Sequence, residues 1–399
     1  MNVPRPSLPP ALRLVNALGD TARRLGLARD TLEPDALIEE ACRVTGHTDL
    51  GDPSHRPALD ALLRSCTEDA NLHFIGRRHM RELVVRALIT RLRLVDAVRR
   101  APDATPISPP LLLCGLPRSG TTFLHRLLAE ADGTRALRLW ELMDPLPGNG
   151  PDTRRADVDA RMARLRRFAP ANLDAQHVMR ADLPDECGHL LKPTFLSSLY
   201  WMAPVTGYLA WYPHHDARPA YRDYRWLLGL LQSDPSHRYV LKDPFHAMNL
   251  PALFAAIPDA RVVQTHRAPA EVVPSLHKLA LTTQAVLSDG VDPARIVEAN
   301  TAWLETVATR SVDDRARLPE DRVLDIDYRD LIADPVGTAR RVHTHFGLPW
   351  DDALQARLTT FVAENGQRRH GDNPYAAEDF GQTAAGIDAR FEAYRARFL

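Results

Sequence analysis

The segment Gly115-Leu116-Pro117-Arg118-Ser119-Gly120-Thr121-Thr122 follows a short apolar run, Leu111-Leu112-Leu113-Cys114, and leads into residues 121–131, whose apolar positions recur at helical spacing. A strand, a glycine loop and a helix in that order make an α/β phosphate site. Gly115 and Gly120 set the G-x-x-x-x-G frame of a nucleotide-binding P-loop, in which backbone N–H groups and the helix N-terminus surround an anion. The lysine that usually follows the second glycine is replaced by Thr121, and Arg118 supplies a permanently charged guanidinium inside the loop instead. That exchange argues against an ATPase or kinase.

Three further short segments, residues 239–241, 261–264 and 322–326, read as strands. Each precedes helical patterning, at about residues 249–256, 270–280, and then 328–333 and 336–346. Alternating strands and helices predict an α/β P-loop-type three-layer fold with a parallel central sheet and its ligand at the carboxyl ends of the strands. Residues 11–100 repeat at helical spacing, broken by Gly46 and the Asp52-Pro53 turn, and the proline-rich stretch 101–110 reads as a linker. The expected division is a helical N-terminal region, 1–105, and a P-loop domain, 106–399, interrupted at about 152–232 by a helical insert carrying Tyr200, Trp201, Tyr208, Trp211 and Tyr212.

Composition narrows the function classes. With 399 residues, 45% of them hydrophobic, the chain can bury a full core, and a formal net charge of -1 gives no basic surplus for nucleic acid. Only Lys192, Lys242 and Lys278 are lysines, which singles each of them out. Cys42, Cys66, Cys114 and Cys187 form no CxxC pair, so neither a disulfide framework nor a structural zinc is expected. The opening residues lack the apolar core of a signal peptide, and no run approaches the roughly 18 apolar residues of a membrane span, so a cytoplasmic location is expected.

The loop, with three segments that follow it, resembles the sulfotransferase superfamily that uses 3′-phosphoadenosine 5′-phosphosulfate, especially the branch of tyrosylprotein sulfotransferases and related bacterial enzymes. The resemblance covers about residues 110–346 and implies that Arg118, Ser119, Gly120, Thr121 and Thr122 contact the phosphosulfate. Lys242-Asp243-Pro244-Phe245 is similar to a segment whose lysine reaches the sulfuryl group. Arg267 and Ser275 resemble the pair that holds the nucleotide 3′-phosphate, as a bidentate guanidinium and a hydroxyl two helical turns into a helix can do. Asp327-Tyr328-Arg329-Asp330-Leu331 is similar to a Tyr-Glu segment with Arg329 in place of the glutamate, which leaves Tyr328 a cofactor role. Arg368-Arg369-His370-Gly371 resembles a bacterial tail in which a basic residue, here Arg369, closes over the nucleotide; a solvated helix end is the competing account.

By the resemblance, the reaction is direct in-line transfer to an acceptor hydroxyl, with no metal required. It needs a base for the hydroxyl proton and cations for charge on the bridging oxygen. Glu141 is the expected base, because it lies shortly after the loop helix, where the related branch carries its glutamate; a capping or surface glutamate beside Trp140 is the alternative. Glu186 and His246 compete for the role. Lys242 and Arg118 are expected to stabilise the bridging and sulfuryl oxygens. The acceptor is left open among lipid, polyketide, phenol, sugar and peptide hydroxyls, and the oligomeric state is open, a homodimer included. Two rival readings remain: a P-loop kinase or other nucleotide phosphotransferase, and a catalytically silent nucleotide-binding scaffold.

Overall fold

A computed structural model describes residues 8, 10–27, 30–101, 103, 105–148, 150–168, 179–290, 292–365 and 375–399. Five parallel strands form one sheet in the order β2-β3-β1-β4-β5, with β1 Leu111–Gly115 at its centre, β2 Thr134–Arg135, β3 Arg238–Lys242, β4 Arg261–His266 and β5 Val323–Asp327. The expected strands are present; β2, two residues paired with Arg238 and Tyr239, was not expected.

Side chains alternate across the pleat and build two layers. Leu111, Leu113, Val240, Val263 and Ile326 pack with one helical layer, while Leu112, Cys114, Tyr239, Leu241 and Val262 join the other. Burial on both faces explains the unbroken apolar runs at residues 111–114 of β1 and 239–241 of β3. The first layer holds α5 (Thr121–Leu128), α14 (Pro335–His345) and α15 (Asp352–Asn365). The second includes α10 (Leu250–Ala256), α11 (Pro269–Gln284) and α12 (Pro293–Arg315).

The N-terminal helices α1 (Pro10–Arg24), α2 (Pro34–Thr45), α3 (His55–Glu68) and α4 (Phe74–Arg100) do not stand apart. Leu37, Leu59, Leu62 and Leu88 share the second layer's core. The buried Arg91 of α4 donates to Asp223 at 2.9 Å and to the Asp52 carbonyl at 2.7 Å, which ties α4 to α9 (Arg218–Leu231).

The insert is less helical than its composition predicts. After α6 (Leu139–Met143) and α7 (Arg154–Phe168) come two 3₁₀ segments, Cys187–Thr194 and Ser198–Met202, before α8 (Thr206–Trp211). Pro193 inside the first segment removes a backbone donor, and its tight turns bring Glu186 to the sheet's carboxyl edge. The C-terminal part of the fold comprises α13 (Tyr328–Ala333), α16 (Ala384–Arg390) and α17 (Glu392–Phe398), whose Tyr394 hydroxyl bonds His266 at 2.8 Å.

Candidate active site

The loop between β1 and α5 has a backbone that only certain residues allow. Gly115 has φ +137°, and a Cβ there would lie 2.2 Å from the Thr265 carbonyl oxygen of β4. Gly120 has φ +85° and packs against Tyr328 and Leu331. Arg118 adopts φ +66°, a left-handed conformation that costs a side-chain-bearing residue roughly 1–2 kcal/mol. Ser119 turns inward: its Oγ donates to the Leu116 carbonyl and sits 2.6 Å from Thr265 Oγ1, pinning the loop to β4. The N-terminus of α5 then points its free N–H groups and positive dipole end at the space above the loop.

On one side of the loop the cations are held together. Arg118 Nε donates to Ser275 Oγ at 3.2 Å, and Arg267 Nη1 donates to the Arg118 carbonyl at 2.9 Å. Arg267 also binds Glu271 and lies 4.2 Å over the Tyr328 ring. Arg118, Arg267, Ser275, Tyr328 and Gly120, far apart in sequence, thus meet at one place. Burial pulls the Arg118 guanidinium below its usual range, yet a guanidinium keeps its charge. Arg369, expected to close over this region, lies outside the described residues.

On the other side stands Lys242, at the carboxyl end of β3 and 1% exposed; its Nζ donates to Glu186 Oε1 at 2.8 Å. The neighbouring Asp243 is buried, and its carboxyl is pushed up to about 7 by that burial and then by Glu186. Its Oδ1 accepts from the Phe245 N–H at 2.9 Å, while Oδ2 has no hydrogen-bond partner. Gly188 is required by this packing, since a Cβ there would lie 1.7 Å from Asp243 Oδ2.

The two other expected bases sit elsewhere. Glu141 accepts from Arg135 at 2.7 Å with Oε1 and from the Arg138 N–H at 2.9 Å with Oε2. As the third residue of α6 it closes that helix's N-terminus, the capping arrangement that competed with the base assignment. His246 is sealed in the core, with Tyr221 Oη 2.7 Å from Nδ1 and Cys187 Sγ 3.2 Å from Nε2, and burial pushes its pKa down to about 3.

A cavity of about 1410 Å³ opens over the loop, lined there by Arg118, Gly120, Thr121, Thr122, Arg267 and Tyr328. Glu186 faces it, whereas Glu141 does not. Beyond Glu186 the wall carries His189 and Lys192, whose Nδ1 and Nζ lie 3.0 Å apart; burial pulls Lys192 down to about 8. Farther in, Leu83, Ile89, Leu165, Leu199, Trp201 and Leu279 make an apolar chamber. The volume exceeds the roughly 300–1,000 Å³ that serves one small ligand. Lys192 was not assigned a role from sequence, where the rarity of lysine was its one signal; of the aromatic-rich insert, which could line an apolar acceptor pocket, Tyr200 and Trp201 do border the cavity.

Among the described residues, no group of three His, Cys, Asp or Glu side chains is placed to hold a metal ion, and no helix is long and apolar enough to cross a membrane. The model of a family described as "Sulfotransferase family" matches residues 109–352. Over 285 residues, 67% of this chain and 70% of the relative, the sequence is 25% identical to the omega-hydroxy-beta-dihydromenaquinone-9 sulfotransferase Stf3 of Mycobacterium bovis, and equally to that of Mycobacterium tuberculosis. The crystal structure of sulfotransferase STF1 from Mycobacterium tuberculosis H37Rv is similar at 30% identity and a TM-score of 0.77, covering 91% of this chain and 99% of that one. Sulfotransferase STF9 from Mycobacterium avium has the same fold, with a TM-score of 0.82 at 23% identity over 93% of this chain and 98% of its own.

Proposed function

The chain belongs to the sulfotransferase family and is an enzyme of sulfuryl transfer, and on that premise we propose that it carries the sulfuryl group of 3′-phosphoadenosine 5′-phosphosulfate to a hydroxyl on a large apolar acceptor, with Glu186 as the base. The observation that carries this reading is Glu186, which lines the same cavity as Arg118, Thr121 and Arg267 and is held at 2.8 Å by the buried Lys242.

Each group has a task in this reading. The loop N–H groups with Thr121 and Thr122 hold the 5′-phosphosulfate, while Arg267 and Ser275 hold the 3′-phosphate and Tyr328 bounds the nucleotide. Ser119 and Gly120 shape the loop. Glu186 takes the hydroxyl proton as the acceptor oxygen attacks sulfur, and the bond from sulfur to the phosphate oxygen breaks on the opposite side. Lys242 and Arg118 meet the charge that develops on the bridging oxygen, so adenosine 3′,5′-bisphosphate leaves. Glu141, fixed by Arg135 and by the start of α6, is a structural residue here and not the base. The apolar chamber supports an acceptor with a bulky hydrocarbon body, in keeping with the dihydromenaquinone named for the mycobacterial relatives.

A binding panel tests the donor: adenosine 3′,5′-bisphosphate should bind more tightly than ATP or GTP, and a preference for ATP with magnesium-dependent turnover would return the kinase reading. Single-turnover transfer of labelled sulfuryl to long-chain alcohols and isoprenoid phenols, compared with sugars and peptides, tests the acceptor.

A further inference from the structure

Helix α1 is turned against the usual rule for an amphipathic helix. It buries Asn16 and Gly19 and leaves its apolar side chains outside, with Leu14, Val15 and Leu18 exposed by 61%, 45% and 62%. Leu25 and Leu27 follow directly at 68% and 74%. These make five of the seven exposed large apolar side chains among the described residues, so the exposure is concentrated at one place. Leu14 and Leu18 are four residues apart and share a face.

The inward contact explains the orientation. Gly19 lets α1 come close enough to α4 that a Cβ would lie 2.2 Å from the Phe74 ring, and Asn16 Oδ1 accepts from the Ile75 N–H at 3.0 Å. The register of α1 is therefore set by a small, polar contact, which holds the leucines outward. The same helix lines the cavity with Leu12 and Val15, so the outer stripe and the cavity wall belong to one element. Its charges are Arg13, Arg23 and Arg24 against a single acid, Asp20, which Arg23 pairs at 3.2 Å; Arg13 and Arg24 are exposed.

We propose that α1 lies in the interface of an anionic lipid bilayer, with Leu14, Leu18, Leu25 and Leu27 among the acyl chains and Arg13 and Arg24 at the headgroup phosphates. Exposed leucines beside arginines are the composition of an interfacial helix. A second copy of the chain seated on this face would close the cavity that α1 borders, whereas a bilayer leaves it open to molecules dissolved in lipid. That such a molecule is the acceptor rests on the function proposed above; attachment to lipid does not.

Co-sedimentation with vesicles of phosphatidylcholine mixed with phosphatidylglycerol, and of phosphatidylcholine alone, tests this. The wild-type chain should bind the mixed vesicles more tightly, and less so in high salt. The double variant Leu14→Glu/Leu18→Glu should bind at least about tenfold more weakly. Arg13→Glu/Arg24→Glu should lose the preference for the anionic lipid. Adenosine 3′,5′-bisphosphate affinity unchanged by both pairs shows that the fold is intact. No wild-type binding to vesicles, or equal binding by the leucine variant, overturns the proposal. So does a dimer in light scattering that the leucine substitutions dissolve, which assigns the face to a second copy. Loss of nucleotide preference with vesicle binding retained would count against the donor reading alone.

Discussion

Lys242 and Glu186 are 56 residues apart in the chain, and their side chains meet at 2.8 Å. Lys242 ends a buried strand, and Glu186 stands at the start of a 3₁₀ segment. Each charge is balanced before any ligand arrives, so neither is desolvated alone. In the function proposed above, the carboxylate serves the acceptor hydroxyl and the ammonium the leaving oxygen.

Glu186→Gln should therefore lower kcat by about 10²-fold or more, the usual contribution of a positioned base, while affinity for adenosine 3′,5′-bisphosphate changes little. Glu141→Gln should leave kcat near wild type and lower stability by at most about 1 kcal/mol, through loss of the charge that pairs Arg135, since the amide oxygen can still cap α6. Parallel kinetics and thermal melts on the two variants decide the matter, and the reverse pattern restores Glu141 as base.

The contrast between those two glutamates shows what the sequence conveyed. The sheet was legible because residues 111–114, 239–241 and 262–263 are apolar without interruption, as strands buried on both faces are. The loop was legible because Gly115 and Gly120 occupy positions where a side chain collides. Strand β2 has only Thr134 and Arg135 and carries no periodic signal. Glu141 drew attention by its distance from the loop, but its partners Arg135 and Arg138 are local and satisfy it. Glu186 stood in the sequence only as a competing base, because its contact with Lys242 is one that no local pattern encodes, and the 3₁₀ turns that deliver it have no 3.6-residue repeat to read.

Arg267 stacks on Tyr328 and bonds the backbone of Arg118, so it braces the loop beside the proposed 3′-phosphate site. Arg267→Ala should weaken adenosine 3′,5′-bisphosphate binding by about 1.5–3 kcal/mol, the value of a hydrogen bond to a charged group. Calorimetric titration reads this directly. An unchanged affinity would remove Arg267 from the 3′-phosphate site.

Gly120→Ala combines an unfavourable φ of +85° with a Cβ 2.8 Å from Leu331 Cδ2 and 3.1 Å from the Tyr328 ring. Backbone strain alone costs roughly 1–2 kcal/mol, and relief of the contact displaces Tyr328. The variant should melt at lower temperature and bind the nucleotide more weakly than Gly133→Ala. Gly133 has a similar φ of +68° but nothing near its Cβ, so it reports strain without displacement of the ring.

Asp243 supplies a pH test. Burial, with Glu186 nearby, pushes its pKa up to about 7 in the folded chain from 3.8, so between those values the native state holds a proton that the unfolded chain releases. Folding stability from this group is complete below about 4, falls as pH rises towards about 7, and is level above that. Asp243→Asn keeps an oxygen for the Phe245 N–H and abolishes the titration. The melting temperature of the variant relative to wild type should rise steadily from acidic to mildly alkaline pH, because titrating groups that do not interact with Asp243 cancel in the difference. A difference that stays flat across that range would mean that Asp243 is ionised in the folded protein at acidic pH, and the unpartnered Oδ2 beside Gly188 would then need another explanation.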